Sequence, residues 1–202
     1  RIIETITKLI SYEDKEMKKL ITNPDKKFTQ KVERDVNDRI VYINKARKED
    51  GDTALHIAAR IGNPKFVNIL LENNADINAA NKRNHTPLYE ALSTELLNEN
   101  DEMRNELAIK LLEQDNILVN IKSSPEDGRG AEFTPLHWAA MGGFTEVVKT
   151  IIDKGGNVNL KDKNNRIPLH WAVLRNRRDI VKLLLKSGSD INAKDSKKKK
   201  PK

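Results

Sequence analysis

Residues Thr134 to Gly143 read TPLHWAAMGG, and three other segments repeat their order of residue types: DTALHIAARIG at 52–62, HTPLYEALS at 85–93 and RIPLHWAVLRN at 166–176. Counted from the threonine position, the copies start at Thr53, Thr86, Thr134 and Ile167, at intervals of 33, 48 and 33 residues. The middle interval is one period plus 15. A second mark keeps the same phase. Asp76-Ile77-Asn78, Asn157-Val158-Asn159 and Asp190-Ile191-Asn192 each put an asparagine 25 residues after the start of their copy. Self-similarity at such a period marks stacked units, each burying its apolar face on its neighbours.

Within a copy the residues specify a pair of short helices. In the first copy these are expected near 54–60 and 64–72, with Asp52 and Thr53 offering side chains to cap the first turn. Thr86 and Thr134 take the same cap position, and Pro87, Pro135 and Pro168 stand at the first helical position, where a missing N–H costs nothing. Ile167 replaces the cap in the last copy, so Ile167→Thr is expected to stabilise it. Asn74 stands where the last copy has Gly188 and is expected to adopt the left-handed backbone that ends a helix. The second copy is longer. Nine extra residues fall around Leu96 to Met103, which suggests lengthened helices, and six more fall between Asn120 and Thr134, in a loop-forming stretch from Ser123 to Gly130.

The TPLH-type starts, glycine or asparagine helix ends and closing apolar-Asn pairs recur together over roughly three quarters of the chain. They resemble the ankyrin repeat. The resemblance implies an all-α solenoid of helix-turn-helix pairs with hairpin-like loops, four repeats over 44–195, preceded by an N-terminal helical cap or divergent repeat over 1–43 and followed by a basic tail, 196–202. It implies that His56, His137 and His170 hydrogen-bond the turns and pin one repeat to the next. Recognition is then expected at hairpin tips and inner helices on a concave surface. In the first repeat that set is Glu49, Asp50, Asp52, Arg60 and Ile61; in the second it is Lys82, Arg83, His85, Ser93 and Thr94. The third contributes Phe133 and Met141, and the fourth Lys163, Asn164, Arg166, Leu174 and Arg175. Arg166 and Arg175 are the expected anchors.

Composition narrows the chemistry. The 202 residues are 37% hydrophobic and 4% aromatic, enough for the thin core of a solenoid. Cysteine is absent, which removes disulfides, thiolate metal sites and a cysteine nucleophile together. Equivalent histidines on packed helices stand about 8–10 Å apart, too far to share a zinc ion at about 2 Å, so neither metal nor cofactor is expected. No phosphate-cradling loop, metalloprotease helix or nucleophile elbow occurs, and no enzyme is read. Trp138 and Trp171, one period apart, read as packing residues because Ile57 holds that slot in the first copy. The start without Met, with a helical pattern already under way, suggests a piece of a longer chain.

The net charge of +7 is unevenly placed: residues 161–202 hold 14 Lys or Arg against 4 Asp or Glu. The main expectation is a monomeric interaction scaffold that binds another protein, in the cytoplasm or, given a Lys-, Asn- and Ile-heavy composition typical of AT-rich genomes, as an effector in a host cytosol. One alternative is electrostatic binding of nucleic acid or an anionic membrane through the basic C-terminal segment. Another is the targeting module of a larger enzyme.

Overall fold

A computed structural model describes residues 43–93, 101–125 and 132–201. The expected cap over 1–43 lies outside the described residues apart from Ile43. Eight helices occur among the described residues, and no strand. They are α1 (Ala54–Ile61), α2 (Pro64–Glu72), α3 (Pro87–Ser93), α4 (Asp101–Leu112), α5 (Pro135–Gly142), α6 (Thr145–Asp153), α7 (Pro168–Leu174) and α8 (Arg178–Lys186). Each odd-numbered helix packs on the even one that follows it, and the odd helices also stack in a row, α1 on α3, α3 on α5 and α5 on α7. This inner row carries the repeated motif.

The row can stack closely because its contact positions are small. Ala58, Ala91, Ala139 and Ala172 stand at the same place in the four copies, all buried, beside Leu55, Leu88, Leu136 and Leu169. One continuous apolar core results, running from Ile43 to Ala193 and closed from the outer side by Val67, Leu70, Leu107, Leu111, Val148, Ile151 and Leu184. α4 has 12 residues where α2, α6 and α8 have 9, so part of the insertion in the second repeat lengthens the outer helix. Asn74 has φ of 60°, the left-handed end its position calls for.

Hydrogen bonds tie each repeat to the next on both edges. On the loop edge, the side-chain oxygen of Asn44 accepts from Asp76 N–H at 2.7 Å, that of Asn78 from Leu118 N–H at 2.8 Å, that of Asn120 from Asn157 N–H at 2.8 Å and that of Asn159 from Asp190 N–H at 2.8 Å. Each amide nitrogen donates onward to a carbonyl of the same neighbour: Asn44 to Asn74 O, Asn78 to Asn116 O, Asn120 to Gly155 O and Asn159 to Gly188 O. Asn44, 34 residues before Asn78, thus holds the closing position of a preceding unit.

On the hairpin edge one residue organises each turn after the first. Asn81 Oδ1 accepts from the N–H groups of Arg83 and His85, and Asp162 and Asp195 do the same for Asn164 and Arg166 and for Lys197 and Lys199. In the third repeat the organiser is Ser123, whose hydroxyl takes Phe133 N–H at 3.2 Å while its own N–H donates to Phe133 O. The six-residue insertion follows Ser123 and Ser124 without disturbing the stem, and Ser124 N–H reaches Arg83 O in the turn before it. Within the expected basic tail, 196–202, the described residues form a further turn. Asp195 organises a fifth turn, Ser196 N–H donates to Asn164 O, and Lys198 takes the left-handed position (φ 59°) held by Asn84 and Asn165.

Candidate partner-binding face

The motif histidines set the ends of the inner helices. In α1, His56 Nδ1 accepts from both Thr53 N–H (3.1 Å) and the Thr53 hydroxyl (2.8 Å). A backbone N–H can only donate, so the ring proton sits on Nε2, which donates to His85 O at 2.9 Å in the next turn. His137 repeats this with Thr134 and Arg166 O, and His170 with Ile167 N–H and Lys199 O. The helix start at Ile167 is therefore still capped by His170, and Ile167 itself is 1% exposed. Its side chain packs in the core and offers no hydroxyl, so the threonine's bond is lost while the histidine's is kept. In the second repeat Tyr89 replaces the histidine, and the Thr86 hydroxyl accepts from Tyr89 N–H at 3.3 Å. Burial pushes His56 below its ordinary value, and His137 down to about 4.

Three lanes of equivalent positions run along the inner row. One, just before each cap, holds Asp52, His85, Phe133 and Arg166; a second holds Ile57, Glu90, Trp138 and Trp171; a third holds Arg60, Ser93, Met141 and Leu174. Their chemistry changes midway. In repeats 1 and 2 the lanes close on themselves: Arg60 pairs with Asp52 and, through Nε at 2.9 Å, with Glu90. His85 Nδ1 donates to Glu90 Oε1 at 2.8 Å, and Asn81 Nδ2 to Asp52 Oδ1 at 2.7 Å and to Glu90 Oε1 at 3.3 Å. Burial alone would raise the Glu90 carboxyl; the hydrogen bonds from His85 and Arg60 outweigh it and hold that carboxyl far below the usual range.

In repeats 3 and 4 the lanes are aromatic and apolar. Phe133 packs on His137, Trp138 and Trp171 with ring centroids 5.2, 5.3 and 5.0 Å apart, and Trp138 meets Tyr89 edge-on at 6.2 Å. The guanidinium of Arg166 lies 5.2 Å over Trp171, and its Nε is 3.6 Å from Asp195. Trp171 Nε1 donates to Asp162 Oδ2 at 3.0 Å, whereas Trp138 Nε1 has no partner among the described residues. The cause is Ser123: its single hydroxyl is spent on Phe133 N–H, so the second oxygen that an Asp offers is missing.

Against the expected recognition set, the structure removes several members from the surface. His85 and Asp52 are 0% exposed, Phe133 and Ser93 are buried, and Arg60 is 26% exposed and drawn inward by its two carboxylates. Lys82 is exposed but reaches back to the carbonyls of Lys48 and Glu49. Arg83, Met141 and Arg166 are half-buried. Ile61, Lys163, Asn164, Leu174 and Arg175 are exposed, and Leu174, at 61%, is the most exposed large apolar side chain among the described residues. Thr94 lies outside the described residues. The buried lanes were hidden from sequence reading because the position before the cap holds Asp, His and Arg beside a single Phe, so its residue types show no apolar pattern.

Helix pairs stacked through a repeated cap, with an inner row of variable positions, define a repeat solenoid of the interaction class. Family models of the ankyrin repeat match residues 50–82 as one repeat and residues 100–195 as three copies, and the chain belongs to the ankyrin-repeat family. The stretch between the two matches holds α3 and the insertion after it. Among known proteins, the chain is 34% identical over 115 residues to human transient receptor potential cation channel subfamily A member 1, 57% of this chain and 9% of that protein. It is 31% identical over 128 residues to alpha-latrocrustotoxin of Latrodectus tredecimguttatus, 63% of this chain and 8% of the toxin. With an ankyrin repeat protein of fowlpox virus it shares 28% identity over 124 residues, 61% of this chain and 76% of the viral protein. The chain thus spans less than a tenth of the channel and of the toxin. Ankyrin repeats are protein-interaction modules, and neither matched model is catalytic. Among the described residues no helix is long and apolar enough to cross a membrane.

Proposed function

We propose that the chain is a binding module that engages another protein through its inner helices and hairpin tips. The observation that carries this is Leu174: a large apolar side chain left 61% exposed at the end of an inner helix, beside the exposed Arg175. The relatives named above share the repeat and differ in everything their names describe, so no partner is transferred from them.

The test compares two charge-matched double variants in capture of partners from a lysate, quantified by mass spectrometry. Arg166→Ala with Arg175→Ala removes two cations from the inner face. Arg178→Ala with Lys182→Ala removes two from α8, where both are exposed. Arg177 is left out of the outer set because it reaches Met141 O, at the end of α5. The inner pair should cost more than about 2 kcal/mol and the outer pair little. Equal losses at equal melting temperature, with binding that collapses between low and moderate salt, would favour attachment to a polyanion through charge alone.

A further inference from the structure

The inner lanes divide the stack into two halves of opposite chemistry. In repeats 1 and 2, the polar groups of Asp52, Arg60, His85 and Glu90 are engaged with one another. In repeats 3 and 4 the same lanes expose or half-expose Trp171, Met141 and Leu174 next to Arg166 and Arg175. Trp171, Leu174 and Arg175 fall at positions i, i+3 and i+4 of α7 and its end, and so lie on one side of the helix.

The carboxylates of repeat 4 and of the turn after it are already engaged or lie outside the inner row. Of the four aspartates in 161–202, Asp162 is spent on the N–H groups of Asn164 and Arg166 and on Trp171 Nε1, and Asp195 on Lys197 and Lys199 N–H. Asp179 lies on α8 with Lys182 at 3.6 Å, and Asp190 sits in the loop after α8, accepting Asn192 N–H. Arg175 is therefore left without a carboxylate among the described residues, and Arg166 has only the 3.6 Å approach of Asp195.

We infer that the inner face of repeats 3 and 4 docks an acidic protein segment that carries a large apolar side chain. Its carboxylates meet Arg166 and Arg175, and its apolar side chain covers Leu174 and the edge of Trp171. The inference rests on the reading that the inner row binds a protein, and it names where and what chemistry. A nucleic acid would satisfy the cations and leave Leu174 uncovered, so the apolar side chain between them selects a peptide as the occupant.

Three fluorescein-labelled probes test this by anisotropy with the intact chain: a short Asp/Glu peptide with two central leucines, the same peptide with serines for leucines, and an oligothymidylate of equal charge. The leucine peptide should bind at least about tenfold more tightly than the other two. Leu174→Ser and Arg175→Ala should each weaken it by about tenfold, with unchanged melting temperature because both side chains are exposed. Equal binding of all three probes, binding of none, or indifference to Leu174→Ser would overturn the inference. Peptides selected from a random displayed library separate it from the wider reading. Non-acidic peptides that protect α5 and α7 amides from exchange would sink the acidic assignment and leave a protein-binding inner row. Peptides that protect no inner helix would sink both.

Discussion

The motif histidine acts as a neutral double adapter. Its Nδ1 takes the backbone N–H at the helix start and its Nε2 proton goes to the next turn, so protonating the ring forces one of those donors to face another. For His137, burial moves the folded-state value from the ordinary 6.5 to about 4. The unfolded chain then binds more protons between those values, so stability is complete above about pH 6.5 and falls as pH drops toward 4. The loss is on the order of 3 kcal/mol. Melting temperatures at about pH 7.5 and pH 4.5 should show it, and His137→Gln should flatten that slope; an unchanged slope would show the ring is not the titrating group. Ile167 is the neighbouring case. Since His170 already caps the backbone and Ile167 is 1% exposed, Ile167→Thr trades buried methyl surface for one hydroxyl bond. It should lower stability by up to about 1 kcal/mol; a higher melting temperature would show that the missing hydroxyl bond outweighs the packing.

The turns show why some elements were legible in sequence and others were not. Thr53, His56, Pro135 and Asn74 announce their structure because a cap, a first turn and a left-handed helix end each demand few residue types. The organiser of the third turn demands only a side-chain acceptor, and Ser123 supplies it from inside a stretch that reads as plain loop. The closing role of Asn44 was likewise unreadable while the residues before it showed no repeat phase, and Glu132 and Lys198 hold left-handed positions that elsewhere belong to Gly51, Asn84 and Asn165. Ser123 leads to a prediction. Ser123→Asp should keep the bond to Phe133 N–H and offer a second oxygen to Trp138 Nε1, as Asp162 does for Trp171. The gain should be about 1 kcal/mol, with a shift in tryptophan emission. A fall in melting temperature would show that this turn cannot hold a buried charge. Shortening the insertion is safe only after the stem: deletion of residues 126–130 should leave the fold intact by circular dichroism, whereas removing Ser124 would cut its bond to Arg83.

At the scale of the whole stack, the ion cluster and the tryptophans report on different ends. Stability in such an array is close to a sum of repeat and nearest-neighbour terms, so damage in one half reaches the other only through their shared interface. Arg60→Ala leaves the Asp52 and Glu90 carboxylates buried without their cation. With Arg60 26% exposed, the cost should be about 3 kcal/mol, the low end for breaking a buried pair. Both tryptophans lie in repeats 3 and 4, so their emission follows that half, while helical circular dichroism follows helices in both halves of the stack. In urea the Arg60→Ala chain should therefore lose part of its helical signal first, with tryptophan emission changing at higher denaturant. Swapping both carboxylates for neutral isosteres in the same background (Asp52→Asn, Glu90→Gln) should bring the transitions back together, because no uncompensated charge then remains. If the two signals move as one in Arg60→Ala, the α3–α5 junction transmits the full loss, and the stack folds as a single cooperative unit.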